Sequence, residues 1–183
     1  MKRMPASGWL ASLFMLITTV ACSVPAVADQ QDTRVQQAVT TVYLIRHTEK
    51  ELNSGKDPKL TEQGHYRAKN WAKIFSDTRL DAVYSTDTIR TRSTAQPIAD
   101  AQGREVTLYQ AFGVDFAEFV QQHQHQAVLV VGHSNTIPAF ANGLIGKEKY
   151  SELDESNYDT LFIVDITNGT RTAKLLNIEA QMP

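Results

Sequence analysis

Apolar and polar positions alternate along the chain in blocks that predict strands and helices in turn. Thr40-Thr41-Val42-Tyr43-Leu44-Ile45 is β-branched and apolar and predicts a buried strand. Thr61 to Ser76 predicts a helix with Thr61 as N-cap and Ala68, Trp71, Ala72, Ile74 and Phe75 on its apolar face. Leu80 to Ser85 predicts a second strand. Thr88 to Gln102 predicts a second helix closed by Gly103, with a kink or restart at Pro97. A short strand over Glu105 to Tyr109 and a short helix over Asp115 to Gln124 follow. Ala127-Val128-Leu129-Val130-Val131 is apolar at every position, which predicts a central strand covered on both faces. Asn135 to Leu144 predicts another helix. Thr160 to Ile166 and Arg171 to Ile178 predict two strands joined at Asn168-Gly169, a hairpin signal. This order predicts an α/β fold, a three-layer α/β/α sandwich with a mostly parallel central sheet and an antiparallel edge.

The first residues follow a different logic. Lys2 and Arg3 precede a mostly apolar run from Trp9 to Val20, and small residues ending in Ala26-Val27-Ala28 follow. That order reads as an export signal over residues 1–28. The apolar run is too short to cross a hydrocarbon core of about 30 Å, so no membrane span is expected. Cleavage after Ala28 gives a periplasmic or secreted protein without cysteine. The alternative is a lipid anchor at Cys22, within Thr19-Val20-Ala21-Cys22-Ser23. Residues 29–39 read as a polar linker, and residues 40–183 as one domain without a disulfide framework.

Composition narrows the partners. Charged residues make up 21% of the chain and the formal net charge is −2, which gives no basic surface for nucleic acid. His123 and His125 form an H-x-H pair with no third ligand evident, so no metal site is expected there. His65 and Arg92 read as solvated or salt-bridging surface residues.

Ligands of open α/β sheets bind beyond the carboxyl ends of the strands. Three predicted strands end in Arg46-His47-Thr48-Glu49, in Ser85-Thr86-Asp87 with Arg90 just after, and in Gly132-His133-Ser134-Asn135. Two arginines and two histidines thus gather at one sheet edge, a set that suits phosphate. Guanidinium forks pair two phosphate oxygens at once. A neutral imidazole attacks phosphorus without a metal or cofactor, and a second one stabilises the growing charge. Helix N-termini after Ser85 and His133 add backbone N–H groups.

These segments also resemble a known family. Leu44-Ile45-Arg46-His47-Thr48-Glu49 resembles the R-H-G motif of the histidine phosphatases, the superfamily that includes cofactor-dependent phosphoglycerate mutases, with Thr48 where Gly is usual. Leu60-Thr61-Glu62-Gln63-Gly64 resembles the family's L-T-x-x-G helix start. Tyr84 to Asp87 with Arg90 and Thr94-Ala95 resembles the segment of its second phosphate-binding Arg, and Val131 to Asn135 its second-histidine motif. The resemblance implies a metal-independent phosphatase acting on a small phosphorylated substrate or a phosphoprotein through phosphohistidine on His47. It implies that Arg46, Arg90 and His133 bind the phosphoryl group and that Thr48, Asn53 and Ser134 lie on the substrate side. The family's general acid follows the third strand, where this chain has Gln110, which cannot donate a proton to a leaving group. Asp115 is the expected acid. Glu118, or no acid at all, are the alternatives. Mutase-like transfer and a non-catalytic phosphate- or phosphosugar-binding protein are the competing readings. The stretch from Arg90 to His133 is too short for a water-excluding lid, which favours hydrolysis. The pocket's outer wall is expected from Asn53 to Lys59, Gln110 to Phe116 and Ser151 to Asp159, the last of which is acidic and reads as a solvated turn before a strand rather than a substrate contact.

Overall fold

The computed structural model describes residues 39–179. The expected signal, Cys22 and nearly all of the expected linker lie outside the described residues. One six-stranded sheet organises the chain in the order β3-β2-β4-β1-β5-β6. Its strands are β1 (Thr40–Arg46), β2 (Ala82–Ser85), β3 (Val106–Leu108), β4 (Ala127–Gly132), β5 (Thr160–Thr167) and β6 (Thr170–Asn177). The helices are α1 (Glu62–Ile74), α2 (Ile89–Gln102), α3 (Phe116–Gln122) and α4 (Thr136–Ile145). β1, β2, β3 and β4 run parallel, while β5 pairs antiparallel with β1 and with β6. The expected three-layer α/β fold with an antiparallel edge is the fold observed. Among the described residues no helix is long and apolar enough to cross a membrane.

Strand alternation explains the two-sided core. In β4, Val128 and Val130 face one layer and Leu129 and Val131 the other. The first set packs with Ile137, Phe140 and Leu144 of α4, and Phe116 and Phe119 of α3 close over it. The second set packs with Trp71 and Phe75, and with Ala95, Ile98 and Ala99 of α2. The hairpin between β5 and β6 turns on Asn168 and Gly169, both at positive φ (48° and 81°), the conformation that asparagine-glycine turns favour. α2 runs without interruption through Pro97, contrary to the expected kink or restart. Thr88 caps its start, Gly103 closes its end at φ 62°, and burial of Ala95, Ile98 and Ala99 holds the middle.

The parallel strands set the site. β1 and β4 are in register with Arg46 opposite Gly132, and β2 and β4 with Ser85 opposite Val131. The His47 amide donates to the Gly132 carbonyl at 2.9 Å, which carries the pairing one residue past the strand. The chain then turns onto the start of α1. The Thr61 amide donates to the Glu49 carbonyl at 2.9 Å, and Arg67 grips the Glu49 carboxylate from Nε (2.9 Å) and Nη2 (2.7 Å). Gly64 is required at this contact, because a Cβ there would sit 2.2 Å from the Glu49 carbonyl oxygen. Backbone cannot yield as a flexible side chain would. Gly64→Ala is expected to destabilise the domain by about 1–3 kcal/mol, as overpacking typically does, read as a lower midpoint in urea unfolding. An unchanged midpoint would show that this turn does not hold the end of β1.

Candidate active site

The carboxyl ends of β1, β2 and β4 open into a cavity of about 500 Å³ whose wall includes His47, Lys50, Thr86, Arg90, His133 and Ser134. His47 is buried and directed by its own backbone. Its Nδ1 lies 2.8 Å from the Thr48 carbonyl oxygen. A carbonyl only accepts, so Nδ1 carries the proton and Nε2 keeps its lone pair. The rings of His47 and His133 stand edge to face with centroids 5.5 Å apart. Burial, with smaller contributions from Arg46, His133 and Arg90, lowers the His47 pKa to about 3. His47 is therefore neutral at physiological pH.

His133 is fixed from two sides. A guanidinium only donates, so the 3.4 Å contact from Arg90 Nη2 makes His133 Nδ1 an acceptor. The proton then sits on Nε2 and is donated to Thr86 Oγ1 at 3.0 Å. Thr86 passes its own hydroxyl to Thr91, which bonds back to the Thr86 carbonyl at 2.8 Å. Burial and then Arg90 lower the His133 pKa to about 4.

The two arginines differ. Arg90 reaches the cavity wall and is paired with Asp57 at 3.2 Å. The Asp57 carboxylate also accepts the Ile89 amide at the start of α2, at 3.0 Å. Arg46 is almost wholly buried. Its Nη1 donates to the carbonyls of Asp154, Glu155 and Asn157 at 2.9, 3.0 and 3.1 Å, and its guanidinium lies 4.5 Å over the Tyr158 ring. Arg46 Nε and Nη2 and Arg90 Nε are buried without a hydrogen-bond partner. Arg46 Nη2 is 3.0 Å from Glu155 Oε2, close enough for an ion pair but not aligned for a hydrogen bond.

Several expected residues stand elsewhere. Thr48 is fully buried, donating to the Gly64 carbonyl at 2.8 Å, so it supports the wall from behind instead of facing substrate. Asn53 lies in an exposed turn and does not line the cavity. Asp115 is the N-cap of α3, its Oδ1 accepting the amides of Ala117 (2.9 Å) and Glu118 (3.0 Å). Asp115 and Glu118 line a neighbouring cavity of about 240 Å³ instead. The expected acid is thus displaced, because a capping carboxylate points back along its own helix. Ser134 does reach the wall, where its hydroxyl donates to Glu155 at 2.8 Å. His123 is buried between Tyr84 (2.9 Å) and Gln126 (2.7 Å) as a packed core histidine.

The sequence reading missed Lys50 as a wall residue, while Glu152 and Glu155 lie in a segment it expected at the outer wall. Lys50 follows His47 closely enough for spacing to have suggested it. The acidic segment is solvent-exposed at Glu152, Asp154 and Glu155, as expected, but the Arg46 clasp and the Leu153 amide, which donates to the Ser134 carbonyl at 3.0 Å, draw it against the cavity, where Glu152 and Glu155 line the wall.

Residues 42–113 match the model of the histidine phosphatase superfamily (branch 1). Phosphoserine phosphatase 1 of Hydrogenobacter thermophilus is 42% identical over 71 residues, 36% of this chain and 34% of that protein. A Serratia proteamaculans protein named probable phosphoglycerate mutase GpmB is 41% identical over 71 residues, 36% of this chain and 33% of that protein. The match spans about a third of the length of these curated relatives. The phosphoserine phosphatase of Entamoeba histolytica, solved with 3-phosphoglyceric acid, superposes with a TM-score of 0.60 at 19% identity, over 77% of this chain and 98% of that chain. At that identity the likeness is one of fold. Residues 42–113 thus resemble the histidine phosphatase superfamily in sequence, and the described residues share the fold of the Entamoeba histolytica protein.

Proposed function

We propose that the protein is a metal-independent phosphatase that hydrolyses phosphate monoesters through a phosphohistidine on His47. The observation that carries this reading is the free Nε2 of a neutral His47 in a cavity whose wall also holds Lys50 and Arg90, the Arg90 Nε being buried without a hydrogen-bond partner. Leaving such a donor unpaired costs about 1–3 kcal/mol, and more when it is charged. A phosphoryl dianion supplies acceptors for several donors at once. In this reading Nε2 attacks phosphorus, and Arg90 and Lys50 meet the charge on the phosphoryl oxygens, with His133 holding Arg90 in place. Water then attacks the phosphohistidine, phosphate leaves and Nε2 recovers its lone pair. Hydrolysis is favoured over mutase-like transfer because only Tyr109 to Asp115 separates β3 from α3, too little chain for a lid. Two relatives carry the name phosphoserine phosphatase, so small phosphorylated metabolites are the substrate class we assign. The basic, apolar and small-residue order of residues 1–28 leads us to place the reaction outside the cytoplasm.

Two outcomes test the mechanism. His47→Ala should lower metal-free release of phosphate from p-nitrophenyl phosphate on the order of 10⁴-fold or more, and alkali-quenched wild-type enzyme should carry a base-stable, acid-labile phosphoryl group that the variant lacks. Full activity of the variant would refute the role given to His47.

The pH dependence follows from the lowered histidine pKa values. The folded protein keeps His47 and His133 neutral down to about 3 and about 4, whereas the unfolded chain protonates both near 6.5. The unfolded state therefore binds more protons below 6.5, and stability falls as pH drops toward those values. Each histidine contributes at most about 1.4 kcal/mol per pH unit. Urea unfolding between pH 7 and pH 4 should show this slope, and His133→Asn should make it shallower. A slope unchanged in the variant would contradict the buried, neutral state of His133.

A further inference from the structure

The proposed reaction needs a proton for the departing alcohol, and neither Gln110 nor Asp115 supplies one. Among the described residues, three carboxylates line the cavity: Asp87, Glu152 and Glu155. Asp87 is paired with Arg92 at 2.8 Å. Glu155 is held as an anion, its Oε1 accepting from Ser134 at 2.8 Å and its Oε2 lying 3.0 Å from Arg46 and 3.4 Å from Lys50. Those contacts pull its carboxyl below the usual glutamate range, with the Ser134 hydrogen bond the largest cause. Glu152 differs from both. Its one hydrogen-bond contact among the described residues is a long 3.4 Å approach from Ser134 Oγ, and no cation there pairs with it.

Its place is fixed all the same. The neighbouring Leu153 amide donates to the Ser134 carbonyl at 3.0 Å, and Arg46 clasps the carbonyls just beyond. Glu152 is thereby held beside the residue that follows His133. It also stands next to a second carboxylate, since Ser134 Oγ contacts both glutamates. Of the three wall carboxylates, Glu152 alone has neither a cation partner nor a short hydrogen bond among the described residues.

We propose that Glu152 is the proton donor to the leaving alcohol; this rests on the phosphatase reading above. As the bond from His47 Nε2 to phosphorus forms, the phosphorus–oxygen ester bond breaks. Its electron pair passes to the alcohol oxygen, which takes the Glu152 proton. In the second step the Glu152 carboxylate takes a proton from the attacking water. The water oxygen bonds to phosphorus, and the phosphorus–nitrogen pair returns to Nε2.

The test is a leaving-group series on the full chain, comparing p-nitrophenyl phosphate, whose phenolate needs little help, with glycerol phosphate, whose alkoxide needs a proton. Glu152→Gln should raise the ratio of kcat/KM for the first over the second by about 10²–10⁴, the usual worth of a general acid. It should also remove the alkaline limb from the glycerol phosphate pH profile. Glu155→Gln should depress both substrates alike, because its carboxylate orders Arg46 and Lys50. An unchanged ratio in Glu152→Gln, including a uniform loss on both esters, would overturn the assignment, as would a raised ratio in Glu155→Gln alone. Wild-type enzyme that forms no phosphohistidine with either ester would instead strike the phosphatase reading itself.

Discussion

A single carbonyl oxygen decides which nitrogen of His47 is available. By accepting from Nδ1, the Thr48 backbone fixes the tautomer, the ring orientation and the direction of the lone pair. Everything around it serves to hold that carbonyl still. The His47 amide is tied to β4, the Thr48 hydroxyl is tied to the Gly64 carbonyl, and the next residue is gripped by Arg67. His47 is thus positioned by a backbone that has one helix and one strand as its supports. Burial, which keeps the ring neutral, comes from the same packing.

Charge is managed by matched opposition. Arg90 and the start of α2 face Asp57, while Arg46, Lys50 and Ser134 face Glu155. Donors suited to phosphate are therefore ordered by carboxylates before any phosphate arrives. Such preorganisation lowers the rearrangement needed on binding, at the cost of displacing an internal anion. The two carboxylates come from segments distant in sequence.

Much of this was legible in the chain. Strands announce themselves by β-branched and apolar runs, and parallel strands end at one edge, so His47, Arg90 and His133 were readable as neighbours. The Asn168-Gly169 hairpin was readable because two positive φ values leave few other residues to choose from. The misplaced residues share a cause. Asp115 and Thr48 were assigned by nearness to the site along the chain, but each side chain bonds to local backbone and so turns from the cavity. Asn53 failed because its loop reaches the site through Asp57 alone. The tie between Arg46 and the acidic segment was missed because nothing near that segment in sequence signals a distant guanidinium. That contact, from Arg46 to Glu155, spans 109 positions.

Arg46 joins two duties in one planar group. One of its nitrogens clasps the main chain of residues 154–157, and another lies 3.0 Å from the Glu155 carboxylate. Lysine has a single nitrogen and could serve the clasp or the carboxylate, never both. Charge conservation at this position would therefore not conserve the protein's shape. Loss of the fork would loosen the segment that carries Glu152, so a defect born behind the cavity would surface in its wall.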